Sequence, residues 1–396
     1  MTDTLDPLRS YDMDPQTGFM PHWEPLERFD PAFEAWDELA SQLGHWIRNR
    51  RIRERIQALP LLDWRLLHGR PERERAITLL CVFANAYVWG LDEPALRLPA
   101  TLAVPLCGLC DAMGRQPIVH YAGMQLYNFR RIDKSRPLSA DNAELLVQFL
   151  GGVDETWFYI ANLDLELGAA PVLVAAHGAV DAAAREDEGR LGAHLAAIAQ
   201  GMPAIHAALE RQREWTDPHV FFHRVRPYVQ GWPAPGVVYE GVSDQPRALV
   251  GGSAGQSSVI QSLDAVLGIE HPKPSTGTYL RLLRDYMPPA HRRFVDDCER
   301  LSRVRSFVAC SADAALREAY NAAVESVTRF RTLHVRLAHD YVAKPSGHDA
   351  DTKGTGGTAF VEFLRDTRRE TIDAQVPSTP PGAASVSPPD PPVHLD

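Results

Sequence analysis

Residues 315–345, ALREAYNAAVESVTRFRTLHVRLAHDYVAKP, form one uninterrupted helical pattern closed by Pro345, and their reading decides the fold. Leu316, Tyr320, Val324, Val327, Arg331, His334, Ala338 and Tyr341 recur every three or four residues, the period of a helix with one buried stripe. His334 is therefore expected to face inward, with Arg331 projecting beside it from the preceding turn. His339 lies one position off the stripe and is expected to point to solvent.

The same period runs through most of the chain. Residues 33–49 (FEAWDELASQLGHWIRN) show apolar side chains at helical spacing, and residues 74–91 are apolar nearly all round, which predicts a buried helix. Ser139 reads as the N-cap of a helix over 140–150 that Gly151 and Gly152 stop, placing a domain boundary near 150. Residues 157–187 and 189–215 read as two long helices interrupted by small residues and proline. Alternation of period two is confined to short pieces such as PGVVYEGV at 235–242, which excludes a parallel sheet wrapped by helices. The expected fold class is all-α with two domains. A small N-terminal helical domain covers 1–150, of which 1–30 is an extended arm packed on the surface, and a larger helical domain covers 151–372. Residues 373–396 hold a proline-rich run that cannot bury enough apolar surface to order itself, and are expected to be disordered.

The chain has 396 residues and is 45% hydrophobic, enough for a substantial core. Its 51 acidic and 41 basic side chains give a charge of -10 spread along the sequence, which argues against nucleic acid as a partner. No stretch of roughly 20 uninterrupted apolar residues is present, and the N-terminus lacks the basic-then-apolar order of a signal peptide. A cytoplasmic protein without a membrane partner is expected. Cys81, Cys107, Cys110, Cys298 and Cys310 are odd in number and scattered, which suits reduced thiols. Cys107 and Cys110 have the spacing of half a zinc site, but no second pair follows and the segment 101–114 reads as buried helix.

Four stretches can carry chemistry. On the 315–345 helix, a neutral imidazole at His334 can ligate a haem iron while Arg331 meets a propionate; a core histidine with an ordinary hydrogen-bond partner fits the pattern as well. In GGSAGQSSVIQSLDAVLGI at 251–269, the glycines let backbone approach a flat ligand, and Ser257 or Ser258 can cap the helix. A phosphate loop would need a lysine after the last glycine, and none follows. Asp264 sits on a mostly apolar face of that helix, where a carboxylate needs a partner, and Arg331 is the candidate. In VFFHRVRPYVQGW at 220–232, Pro227 is expected to hold Arg226 out of helical geometry, free to grip a carboxylate beside Phe221 and Phe222. In KGTGGTAFVEFL at 353–364, Thr355 with the amides of Gly356 and Gly357 can close over a ligand, or the run is a plain linker.

Taken together and in this order, these segments resemble the indoleamine 2,3-dioxygenase family of haem enzymes. The resemblance rests on GGSAGQSSVIQSLDAVLGI, YMPPAHRRF (286–294), ALREAYNAAVESV (315–327), the RTLH helix (331–334) and KGTGGT, and extends from ANAYVWG (84–90) to about residue 372. It implies haem b, ferrous in the active form, held by His334 as proximal iron ligand, with Arg331 and Asp264 near a propionate. It further implies insertion of both atoms of O2 across the indole C2–C3 bond of L-tryptophan, giving N-formylkynurenine. Substrate-site positions implied in the same way are Tyr121, Phe158, Phe221, Arg226, Ser253, Ala254, Thr355 and Gly356, with Ala254 also against the haem. No acid-base residue is required; the distal-side residues are Ser253 and Asn162, where the family usually shows Ser or His. A cellular reductant and a monomer are implied. Three rivals share this pattern: a haem protein that only binds O2, a haem enzyme that rearranges another indole in secondary metabolism, and a haem-free helical scaffold.

Overall fold

The computed structural model describes residues 4–347, 354–355 and 359–378. The architecture is all-α, as the periodicities require, and the strands among the described residues run to at most 5 residues. Helices α1 (Gly69–Trp89) and α2 (Ala100–Met113) centre an N-terminal cluster; in α1 every residue from Glu74 to Val88 is buried, the outcome an all-round apolar helix demands. Gly114 ends α2 at φ 63°, where a side chain would stand 2.7 Å from the Pro289 ring, so glycine serves both the turn and the close approach.

Helix α3 (Val153–Ala184) returns as α4 (Glu188–Glu210), and the two pack along each other. Pro171 and Pro203 were expected to interrupt them, yet both helices run through. The packed interface outweighs the roughly 3 kcal/mol that an internal proline costs. With a mean hydropathy of 1.4 over an 18-residue window, α3 is apolar and long enough to cross a membrane by those measures alone. Here protein covers just over half of that window, 56%, with α4 on one side and α5 (Ser258–Leu267) and α6 (Pro289–Leu301) on others. Helix α7 (Ala314–Ala338) lies on α4 and continues into a wider turn over His339–Ala343 that ends before Pro345; α8 (Phe360–Ile372) packs on α7.

Among the described residues, two small sheets complete the fold. Strand β1 (Arg97–Leu98) pairs parallel with β4 (Val237–Tyr239), which pairs antiparallel with β5 (Ser243–Arg247), so the alternation in 235–242 does form a strand. The other sheet corrects an expectation: residues 140–150 hold no helix. Ala140–Asn142 is a short 3-10 turn, and β3 (Ala143–Leu145) pairs antiparallel with β2 (Phe129–Arg131). The cause is Asn142, whose amide donates to the carbonyls of Asp133 and Pro137, each at 2.9 Å, and accepts from the Asp133 N–H at 2.9 Å, tying the segment back onto its own loop. Gly151 and Gly152, at φ 75° and 107°, start α3 instead of stopping a helix, and the Glu155 carboxylate gathers the N–H groups of Phe149, Leu150 and Gly151.

Three further expectations change. The arm does not lie on the surface: Tyr11, Met13 and Phe19 join the largest core cluster, and Tyr11 stacks edge-on against Phe294 while donating to Asp297 at 2.9 Å. The 33–49 pattern splits at Gln42 into two short helices. The start of the C-terminal segment is ordered over 373–378, because Ala374 and Val376 are buried and Asn321 bonds both backbone groups of Val376; residues 379–396 lie outside the described residues. All five cysteines are free, four of them buried and Cys310 exposed, and among the described residues no third ligand joins Cys107 and Cys110.

Candidate functional site

A cavity of about 320 Å³ lies where three hydrophobic clusters meet. Tyr121, Phe158, Asn162, Phe221, Arg226, Ser253, Ala254, Asp264, Arg331, His334 and Thr355 all line it. The packing thus brings together every described position that the resemblance implies for the site, while Phe222, singled out with Phe221 beside Arg226, is not in the lining. Gly356, with Gly357, lies outside the described residues.

His334 projects from α7 into this cavity, 6.2 Å from the Phe330 ring by centroids. Burial, helped by the neighbouring Arg331 cation, presses its pKa down to about 4, so the ring is neutral at pH 7. Among the described residues neither ring nitrogen makes a hydrogen bond, which removes the core histidine with an ordinary partner. A neutral imidazole with a free lone pair facing an apolar cavity is able to ligate a metal ion. His339 is exposed, as expected.

Arg331 donates from Nη2 to Asp264 Oδ2 at 2.6 Å and from Nη1 to Thr371 Oγ1. Burial alone would raise the Asp264 pKa, but Arg331 and His271 outweigh it and hold the carboxyl at about 2. Asp264 Oδ1 has no partner among the described residues. The sequence reading foresaw the Arg331 contact and missed the rest of the network: His271 bridges Asp264 and Glu370, and Thr276 donates to Glu370. Glu370 carried a signal, a carboxylate on the Phe363, Thr367, Thr371 face of a short helix. His271 carried none, because it lies in a loop without period.

Opposite, Phe158 and Phe221 lie with ring centroids 4.6 Å apart, and Tyr341 meets Phe221 edge-on at 5.9 Å. Arg226 is buried with its guanidinium 5.2 Å from the Phe222 ring, and burial lowers its pKa without discharging it. Its backbone is helical, φ -54° and ψ -38°, so Pro227 does not free it as expected. Instead the chain widens into a π-helical turn over Phe221–Val225 and tightens into a 3-10 turn at Arg226–Val229, and that change of phase turns the side chain inward.

The Tyr121 hydroxyl donates to Glu166 at 2.7 Å, and Ser257 donates to the same oxygen at 2.9 Å. Asn162 spends one amide N–H on the Phe158 carbonyl of its own helix, at 2.8 Å. Ser257, of the two candidates, caps α5. Ser253 caps the short turn Ala254–Gln256, and Gln256, which sequence reasoning also missed, ties that loop to the Tyr121 N–H at 2.9 Å. The glycines here serve protein packing as well as the cavity: a side chain at Gly251 would fall 2.2 Å from the Val229 carbonyl. Thr355 donates to the Gly252 carbonyl at 2.6 Å and accepts from the Gly231 N–H at 3.2 Å, closing the cavity from above.

The sequence profile of the indoleamine 2,3-dioxygenase family matches residues 7–374. Indoleamine 2,3-dioxygenase 1 of Rattus norvegicus is 35% identical over 389 residues, covering 93% of this chain and 95% of that one. An indoleamine 2,3-dioxygenase of Aspergillus candidus is 33% identical over 391 residues, covering 92% and 96%. A myoglobin of Haliotis madaka is 30% identical over 382 residues, covering 93% and 98%.

Proposed function

The chain belongs to the indoleamine 2,3-dioxygenase family, and from that membership we propose that it binds haem b through His334 and inserts both atoms of O2 across the indole C2–C3 bond of L-tryptophan, giving N-formylkynurenine. One observation carries the reading: a neutral imidazole without a hydrogen-bond partner among the described residues shares a cavity with paired phenylalanine rings and a buried arginine.

The residues present fit the cofactor. His334 offers its lone pair, Phe330 and the Ala254 loop offer apolar contact, and Arg331, part-neutralised by Asp264, offers charge at the edge where propionates would lie. When bound, the haem supplies the iron that activates dioxygen. The protein's own part is positioning. Phe158, Phe221 and Tyr121 hold the indole plane, Arg226 grips the carboxylate with parallel hydrogen bonds, and Thr355 over Gly252 excludes water. No side chain around the indole needs to exchange a proton: Phe158 and Phe221 cannot, and the Asn162 amide, part-committed to its helix, is a poor base. The same reading gives a cytoplasmic monomer served by a cellular reductant in the ferrous state. Its small N-terminal domain, about 1–150, roofs the larger one, about 151–372.

The test is a spectrum of the reduced protein with carbon monoxide, followed by mass identification of the product from tryptophan and O2. A haem band with no N-formylkynurenine overturns the activity, and no haem band at all overturns the whole reading. Likeness to the Haliotis myoglobin favours one alternative, a haem protein that binds O2 without turnover. Arg226 speaks against it, since an oxygen carrier has no use for a buried cation against an aromatic wall.

A further inference from the structure

Helix α8 is seated in an unusual way. It supplies Phe360, Phe363, Leu364 and Thr367 to the cavity wall, yet its buried residues are Thr367, Glu370 and Thr371, all polar. Apolar burial is non-directional and tolerates sliding, whereas hydrogen bonds fix an angle and a register. The seat is a buried group of four ionisable side chains from four segments: Asp264 on α5, Arg331 on α7, Glu370 on α8, and His271 in the loop after α5. The side chains of His271, Asp264, Glu370 and Arg331 are 9%, 7%, 7% and 7% exposed.

The two contacts suit a charged His271 between ionised carboxylates. Nε2 lies 3.2 Å from Asp264 Oδ2, and Nδ1 lies 2.7 Å from Glu370 Oε2. A neutral imidazole has one N–H and one lone pair, so between two carboxylates it would turn the lone pair on one of them. Only the imidazolium donates at both ends. It also balances the group, since two carboxylates against the single Arg331 cation would leave a net buried negative charge.

We propose that His271 and Glu370 are positioning residues: the His271 ring, donating at both ends, ties α8 to Asp264 and so sets both the Arg331 head group and the cavity wall formed by Phe363, Leu364 and Thr367. This rests on the proposed function only in treating that cavity as the cofactor and indole site. The groups facing His271 are Asp264 from α5, Arg331 from α7 and Glu370 from α8; the Lys273–Asp366 pair beside them is more exposed. Burial lowers the His271 pKa, but the two carboxylates outweigh it and raise it above the usual histidine value. The raised folded value means that the tie is complete below the unfolded pKa and is lost as pH rises through the folded one.

The experiment is hydrogen exchange of the α8 amides between pH 6 and 9, corrected for intrinsic rates, on the protein as purified. It compares the parent with His271→Gln, Glu370→Gln and the double variant. Protection of 360–372 is expected to fall about tenfold or more in each single variant, the scale of one charge-assisted hydrogen bond, with little further loss in the double. In the parent, protection falls as pH rises; in His271→Gln it does not change with pH, a distinction that a merely space-filling histidine would not produce. Equal α8 protection in parent and variants, additive losses in the double, or a flat parent pH profile each overturns the proposal. Should the variants unfold, the parent profile alone decides. Absence of N-formylkynurenine would count against the dioxygenase reading and leave the exchange result intact.

Discussion

Replacing Arg226 with alanine isolates the carboxylate clamp. The guanidinium is buried and faces the aromatic wall, so its pairing with a substrate carboxylate takes place out of bulk water. Truncating one side of a desolvated charge pair costs about 2–5 kcal/mol. Arg226 itself stays 9% exposed, so the lower part of the range applies: about 2–3 kcal/mol, or roughly 30- to 150-fold in kcat/KM for tryptophan. The loss should fall mainly on KM, because the carboxylate is remote from the C2–C3 bond and is held equally before and during reaction. Tryptamine, which lacks the carboxylate, supplies the control: its kcat/KM should change by less than about threefold, so the variant loses discrimination between the two indoles. Loss of the cation–π pair with Phe222 accounts for about 0.5–1 kcal/mol of stability, and thermal unfolding checks that the variant is intact. An unchanged KM for tryptophan in a folded variant, or an equal loss for tryptamine, would refute the clamp.

His334→Ala should purify without a Soret band while His339→Ala, exposed and one position off the cavity-facing stripe, keeps it; equal haem content in both would remove His334 as the ligand. Asp264→Asn leaves Arg331 and His271 facing a neutral amide, and calorimetry should show a loss of about 3–5 kcal/mol, roughly 4–6 °C in Tm for a chain of this size. His120 is neutral in the folded protein down to about pH 4, held there by burial and by Arg115. The unfolded chain takes that proton near pH 6.5, so stability falls by up to roughly 3 kcal/mol as pH drops from 6.5 towards 4. Urea unfolding at the two ends of that range should show a smaller drop in His120→Gln, and parallel drops would mean that other groups carry the acid sensitivity.

The helical class and most site positions were legible because both express themselves within one or two turns of chain. The stripe from Leu316 to Tyr341 announces a helix and puts His334 and Arg331 on one face whatever packs against it. Asp264 on an apolar face announces a partner in the same local way, and Arg331 proved to be it. Residues 140–150 show the limit. Their composition suits a helix, but Asn142 bonds to a loop before it and β3 finds β2, so non-local partners override local preference. Pro227 failed as a signal for the same reason: its bias against helical geometry at Arg226 is weaker than the packing that favours a π-helical turn running into a 3-10 turn.

Sequence by itself determined the all-α class, the inward face of the His334 helix and, through whole motifs in order, the family. Those properties are periodic or contiguous, and a chain carries them without knowing its neighbours. Only the tertiary structure decided that the arm enters the core, that α8 sits on polar residues, and that His271 closes the group formed by Asp264, Arg331 and Glu370. Burying a charge is tolerable only when its partner is already in place, and those partners lie far apart along the chain, Asp264 and Glu370 with some hundred residues between them, so no local pattern records their meeting.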